Sequence, residues 1–160
     1  MNEDFKIQRA SINEVNIIAD IKTKAFRDEK ERFKPSEDKI PNWFYDEWYI
    51  DISENLRLIN EYYVYILVSN LRIIGTFWLH DIDKETIELE DFCILPEYQG
   101  LGYGYRTLHM MEELFPDKKK WILGTPAYSL KNHYLYEKAG YHKVGTASNG
   151  TVYLYEKYMI

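Results

Sequence analysis

The stretch ILPEYQGLGYG, residues 94–104, packs three glycines into five positions: Gly100, Gly102 and Gly104. Glycine is costly where regular structure must form, so such a cluster marks a sharp turn or a backbone that something approaches closely. Two familiar anion sites do not fit. A G-x-x-x-x-G-K-[ST] loop needs a Lys-Ser/Thr pair that is missing here. A G-x-G-x-x-G fingerprint fails because position 107 is Thr107. What remains is Gln99-x-x-Gly102-x-Gly104 between a strand-like run and a helical one. At such a junction the first N–H groups of a helix lack partners and the dipole adds about half a positive charge. A pyrophosphate could sit directly on those amides. A plain tight turn fits these residues as well.

Just ahead lies IELEDFCIL, 87–95, with Glu88, Glu90 and Asp91 in an otherwise apolar strand. Strict alternation places Glu88, Glu90, Phe92 and Ile94 on one face and Leu89, Asp91 and Cys93 on the other. On their own these acids suit the half-solvated face of an antiparallel sheet. Asn132 and Tyr136 are four apart and share a helix face. Taken singly, Tyr136 also reads as a core aromatic between Tyr134 and Tyr141. Cys93 has no histidine at a suggestive spacing and reads as packing. His80, His109, His133 and His142 show no metal-ligand spacing, so no metal is expected.

These groups need a scaffold. The 160 residues suit one domain spanning 1–160. Apolar residues make up 46% and charged ones 29%, the mix of a globular rather than a disordered chain. The net charge of −6 lacks the footprint of a nucleic-acid binder, so no nucleic-acid partner is expected. The single cysteine excludes an intrachain disulfide, the start MNEDFKIQRA has no secretory pattern, and no apolar run is long enough for a membrane span. A cytoplasmic setting without membrane contact is the expectation.

FKIQRA (5–10) alternates like a strand, and SINEVNIIADIKTKAF (11–26) reads as a helix capped by Ser11. The charge-dense segment 27–39 reads as a mobile connection. A helix over 41–60 carries Phe44, Trp48, Ile52, Leu56 and Ile59 along one side, leaving Asp46, Glu47 and Asp51 to water. Strands over 62–69, 72–82 and 87–95 follow, the first two as a hairpin. A helix from Gly102 to Phe115, a strand over 120–125 and a helix stopping at Gly140 come next. Strands on either side of Ser148-Asn149-Gly150 complete the chain. The order β-α-α-β-β-β-α-β-α-β-β implies a mixed α/β (α+β) fold, a largely antiparallel sheet with helices on both faces.

The segment LEDFCILPEYQGLGYG resembles the signature of the GNAT superfamily of acetyl-CoA-dependent N-acetyltransferases, and NHYLYEKAGY resembles that family's second motif, Asn-x-x-x-x-Tyr-x-x-x-Gly-Phe/Tyr. The separation of the two and the element order over nearly the whole chain agree with a GNAT-like fold. The resemblance implies that Gln99, Gly100, Leu101, Gly102, Tyr103, Gly104 and Tyr105 grip the CoA pyrophosphate through main-chain amides. Phe92 to Ile94 would bond the pantetheine arm and acetyl carbonyl by backbone, and Asn132 would contact the pantetheine. Tyr136 would stand over the thioester sulfur as the acid. LEDF also resembles the matching stretch of spermidine/spermine N-acetyltransferases, which points to Glu90 as the base acting through water, with Asp91 second. Other members place the acid nearer Glu88. Members are often dimers, and the Tyr-rich last strand would offer an edge for a homodimer.

The chemistry such a site performs needs these groups. An alkyl amine of pKa about 10.4 is almost wholly protonated at pH 7, so a base must take a proton before attack. The leaving thiolate benefits from a donor such as Tyr. In NWFYDEWYID (42–51), rings mixed with acids suit a cationic amine, while the core stripe accounts for most of the same residues. The expectation is therefore transfer of acetyl from acetyl-CoA to a primary amine, a small cationic amine or polyamine among the candidates. The alternatives are a peptide N-terminus, a lysine, or a non-catalytic acyl-CoA-binding module.

Overall fold

A computed structural model describes residues 4–160. Residues 1–3 and the side chain of Asp46 lie outside the described residues. Strand β1 (Phe5–Arg9) leads into a reciprocal cap, in which Ser11 accepts from the Asn13 amide while Glu14 accepts from the Ser11 amide at 2.9 Å. A single 3₁₀ turn then passes into α1 (Val15–Phe33).

Helix α1 continues seven residues past the expected end at 26, so most of the segment read as a mobile connection is helical. Nothing in 27–33 breaks a helix, and the Asp28–Arg32 ion pair at 2.9 Å supports it at i,i+4 spacing. The stop comes at Lys34, left-handed with φ 43°, followed at once by Pro35. The single helix expected over 41–60 is instead broken into α2 (Asn42–Asp46), a 3₁₀ turn at Trp48–Ile50, and α3 (Ile52–Glu61). Glu47 turns left-handed at φ 48°, and the Asp51 carboxylate caps the Ser53 amide at 2.8 Å, starting a fresh helix. The inward residues of α3 are Asn55 and Leu58, while Ile52 is exposed.

The remaining elements are β2 (Tyr63–Ser69), β3 (Arg72–Asp81), β4 (Thr86–Ile94), α4 (Tyr103–Leu114), β5 (Lys120–Pro126), α5 (Leu130–Lys138), β6 (His142–Ala147) and β7 (Val152–Tyr158). They form a seven-stranded sheet in the order β1-β2-β3-β4-β5-β7-β6, with β4–β5 its parallel pair. On one face Ile18 and Leu58 pack against Val64, Ile66 and Val68. On the other, Leu108, Met111 and Tyr136 cover Leu67, Leu79, Leu89 and Leu123. The Tyr-rich last strand lies between β5 and β6, so the edges are β1 and β6 and β7 offers none to a second copy.

Two features of the sheet prepare a site. The β4–β5 ladder runs from Thr86↔Lys120 to Leu89↔Leu123 and stops there, after which β4 pairs with β3 and β5 with β7. The strands diverge beyond that point. β4 also carries a bulge: Glu90 faces Trp78 and Cys93 faces Thr76, so Phe77 alone spans Asp91 and Phe92. Asp91 takes φ 51°, and the alternation resets. The expected face assignment is therefore overturned. Asp91 bonds Lys22 of α1 and Cys93 packs on Ile21 and Ala25 of the same helix. Phe92 and Ile94 join Leu89 in the cluster holding Tyr136.

Candidate active site

Two adjoining cavities occupy the divergence of β4 and β5. The first, about 290 Å³, runs along the glycine turn from Phe92 and Ile94 to Tyr105 and is bounded on the far side by α5. Gln99, Gly100, Gly102, Tyr103, Gly104 and Asn132 line it; Leu101 does not, and its side chain is exposed. Gly100 and Gly102 adopt φ 75° and 89°, and a Cβ on either would meet no atom within 4 Å. The space beside the turn is therefore open. Gly104 serves another purpose, since a Cβ there would come within 3.0 Å of the Leu135 side chain, so it lets α4 approach α5. The first bond of α4 runs from Arg106 N–H to the Gly102 carbonyl at 3.1 Å, which leaves the amides of Gly104 and Tyr105 outside the helical ladder. These features fit a diphosphate. The Gln99 side chain ties strand, turn and α5 together, because Nε2 donates to the Ile94 carbonyl at 2.7 Å and Oε1 accepts from Lys131.

The second cavity, about 410 Å³, opens between Leu89–Phe92 and Gly124–Pro126. Rings of Phe26, Trp43, Phe44 and Trp48 form one wall. Four acids contribute, Glu29, Glu88, Glu90 and Asp91, and no lysine or arginine is among the described residues lining it. Tyr136 is 4% exposed and lies on this cavity. Burial pushes its hydroxyl well above the ordinary phenol range, so it stays protonated as a donor must.

The acids differ in their partners. Asp91 Oδ2 accepts from the Trp78 indole at 2.5 Å and lies 3.4 Å from the Lys22 ammonium, which in turn donates to Asn55 at 2.8 Å. Asp91 is thereby the anchor of the bulge. Glu88 meets His80 Nε2 at 2.7 Å. Glu90 stands nearby, 3.6 Å from the same nitrogen. Burial and the adjacent Glu88 and Asp91 charges push its carboxyl up to about 9. His80, Glu88 and Glu90 thus form a cluster that the sequence spacing of histidines did not show. Cys93 is 8% exposed, and burial raises its thiol far above the nucleophilic range, as expected of a packing residue.

Sequence reasoning missed Glu29, Lys22 and Lys131. Glu29 lines both cavities and accepts from Asn132 Nδ2 at 3.3 Å. A signal existed: Lys22, Ala25 and Glu29 recur at helical spacing, but only if the helix is carried past residue 26.

A family model described as the acetyltransferase (GNAT) family matches residues 23–141. The chain is 36% identical over 73 residues to the beta-lysine N(6)-acetyltransferase of Methanococcus maripaludis, a match covering 44% of this chain and 27% of that protein. The chain therefore spans about a quarter of that relative. Among solved structures, the PaiA N-acetyltransferase of Thermoplasma acidophilum in complex with coenzyme A superposes with TM-score 0.83 at 17% identity, covering 98% of this chain and 99% of the other. A GNAT-family acetyltransferase from Streptococcus agalactiae gives 0.81 at 16%, over 98% and 96%. A spermidine N-acetyltransferase chimera from Vibrio cholerae and hSSAT gives 0.69 at 15%, over 96% and 94%. At such identities the likeness is one of fold.

Proposed function

The chain belongs to the GNAT acetyltransferase family, and on that premise we propose that it transfers the acetyl group of acetyl-CoA to the nitrogen of a small cationic primary amine. One observation carries the reading. The split between β4 and β5 joins a bare-amide turn at one end to a cavity of rings and acids at the other, with no lysine or arginine among the described residues lining it. The turn suits a diphosphate, the split exposes strand backbone to a pantetheine arm, and the acidic cavity suits a cation.

In this reading the amides from Gly100 to Tyr105 hold the carrier, with Leu101 contributing backbone alone. The Gln99 amide, expected to join them, already donates to the Pro96 carbonyl at 3.2 Å, and Gln99 instead braces the turn through its side chain. Phe92 and Ile94 offer main-chain groups along the arm, and Asn132 meets it from α5. Glu90 takes the first proton from the acceptor ammonium. Its raised carboxyl holds a proton in the free protein at neutral pH, and an arriving cation favours the charged form it needs. Tyr136 gives its proton to the sulfur as the C–S bond breaks. Asp91 supports the site by fixing the bulge. The similarity to polyamine and beta-lysine acetyltransferases supports an acceptor with more than one charged nitrogen.

The test is calorimetry with acetyl-CoA, then release of free thiol with a panel of polyamines, basic amino acids, lysine peptides and peptide N-termini. Saturable binding with thiol release favouring di- and polyamines is expected. Binding without release on any amine would instead identify an acyl-CoA-binding module, and release confined to peptides would overturn the small-amine acceptor.

A further inference from the structure

Glu29 has no part in the proton transfers assigned to Glu90 and Tyr136, yet with Phe92 and Asn132 it is one of three described residues that line both cavities, and it is the carboxylate among them. It belongs to the walls of the turn-side cavity and of the acidic cavity alike. Its Oε1 accepts from Asn132 Nδ2 at 3.3 Å, and the same Nδ2 lies 3.3 Å from Thr125 Oγ1 on β5. Asn132 stands one helical turn before Tyr136, so the tether fixes the carboxylate of α1 beside the α5 face that carries the phenol.

Amide formation from an ammonium releases two protons from nitrogen. Glu90 accounts for one. The second leaves as the N–C bond becomes an amide, while the departing sulfur takes the proton of Tyr136 and leaves a phenolate behind. That phenolate sits where burial strongly opposes charge, so the cycle closes only if a nearby group reprotonates it. We propose that Glu29 is a further catalytic residue, the carboxylate that accepts the second proton from the acceptor nitrogen and returns it to Tyr136. The inference rests on the acetyl-transfer reading. The balance is complete: the first proton passes from the nitrogen to Glu90 and then to solvent, the second N–H bond is exchanged for a Glu29 O–H bond and then a Tyr136 O–H bond, and the phenol's original proton ends on the CoA sulfur.

The surroundings suit a carboxylate that both takes and gives a proton. Burial raises its proton affinity, opposed by the Ser129 hydroxyl and the Lys131 and Arg32 cations, with Asp28 adding to the rise. Tyr128 and Tyr136 line the same cavity as Glu29, and after burial its charge helps to hold both phenols protonated.

Glu29→Gln is the decisive variant, because its amide oxygen can still accept from Asn132 while it can hold no transferable proton. Acetyl-CoA affinity should stay within about twofold while kcat falls by about 10²-fold, the usual worth of a positioned proton-transfer group. Placed on a Tyr136→Phe background, the same change should cost almost nothing further, since the two act in one relay. In Glu29→Ala, formate should restore part of the lost rate. A Glu29→Gln protein turning over like wild type would overturn the assignment while leaving acetyl transfer intact. So would a loss that formate does not reverse and that matches an equal loss of acetyl-CoA binding. A wild-type protein inert with every amine would overturn the acetyl-transfer reading, and this inference with it.

Discussion

Removing the Lys22 ammonium tests the claim that Asp91 anchors the bulge. Lys22 and Asp91 have side-chain exposures of 1% and 10% and lie 3.4 Å apart, so neither charge is well served by water. Lys22→Met leaves the Asp91 carboxylate held by the Trp78 indole, and it deprives Asn55 Oδ1 of the donor it has at 2.8 Å. Breaking a buried pair from one side typically costs about 3–5 kcal/mol. That is a large part of a native stability of about 5–15 kcal/mol. With a urea dependence of about 2 kcal/mol per molar, the unfolding midpoint should fall by about 2 M. Lys22→Met combined with Asp91→Asn should recover at least half of the loss, because no uncompensated charge remains and the amide oxygen can still accept from Trp78. Equilibrium urea unfolding followed by tryptophan fluorescence reads both numbers. A midpoint shift below about 0.5 M, or a double variant no more stable than the single one, would show that the pair does not hold the bulge.

Tyr136→Phe should leave acetyl-CoA binding by calorimetry nearly unchanged and lower kcat by at least about 10²-fold; equal turnover would remove Tyr136 as the acid. Glu90 binds its proton up to about pH 9 when folded but only to the ordinary carboxylate range when unfolded. Stability should therefore fall as pH rises from about 4.5 to 9, and Glu90→Gln should flatten that slope in urea midpoints taken at pH 5, 7 and 9. The slope will be gentler than for a fully buried acid, since the side chain is 36% exposed. Gly102→Ala forces a side chain onto φ 89° in otherwise open space, so its cost to the fold is about 1–2 kcal/mol from backbone alone. Its methyl should also weaken acetyl-CoA binding in calorimetry, whereas unchanged affinity would argue against a diphosphate on that turn.

What the sequence made legible was what neighbours along the chain decide. The glycine turn belongs to this class: Gly100 and Gly102 take left-handed φ values that few other residues tolerate, and the helix after them follows from local pattern. The cap at Ser11, the turn before β7 and the shared face of Asn132 and Tyr136 were readable for the same reason. The acids of β4 were not. Alternation predicts their faces only while pairing is regular, and the irregularity at Asp91 is held by Lys22 from α1 and Trp78 from β3, 69 and 13 residues away. No period in residues 87–95 contains that information. The position of β7 failed similarly, because strand order in a sheet is a long-range choice and β6 closed the edge instead.

Glu29 shows the cost of reading charge as mobility. Its segment is charge-dense, yet Asp28 and Arg32 pair along the helix while Glu29, seven residues beyond Lys22, turns inward. A helix that ended at 26 would carry no carboxylate to the junction of the two cavities. Extended to Phe33, it brings Lys22 to one side of β4 and Glu29 to the other end of the same cleft. One helix therefore both fixes the backbone conformation of β4 ahead of the glycine turn and places a carboxylate on the cavity that Tyr136 lines. A proline placed within 27–31 should then lower kcat by at least about 10²-fold even where the glycine turn still binds acetyl-CoA, because it removes Glu29 from the cleft without touching any residue of the turn itself.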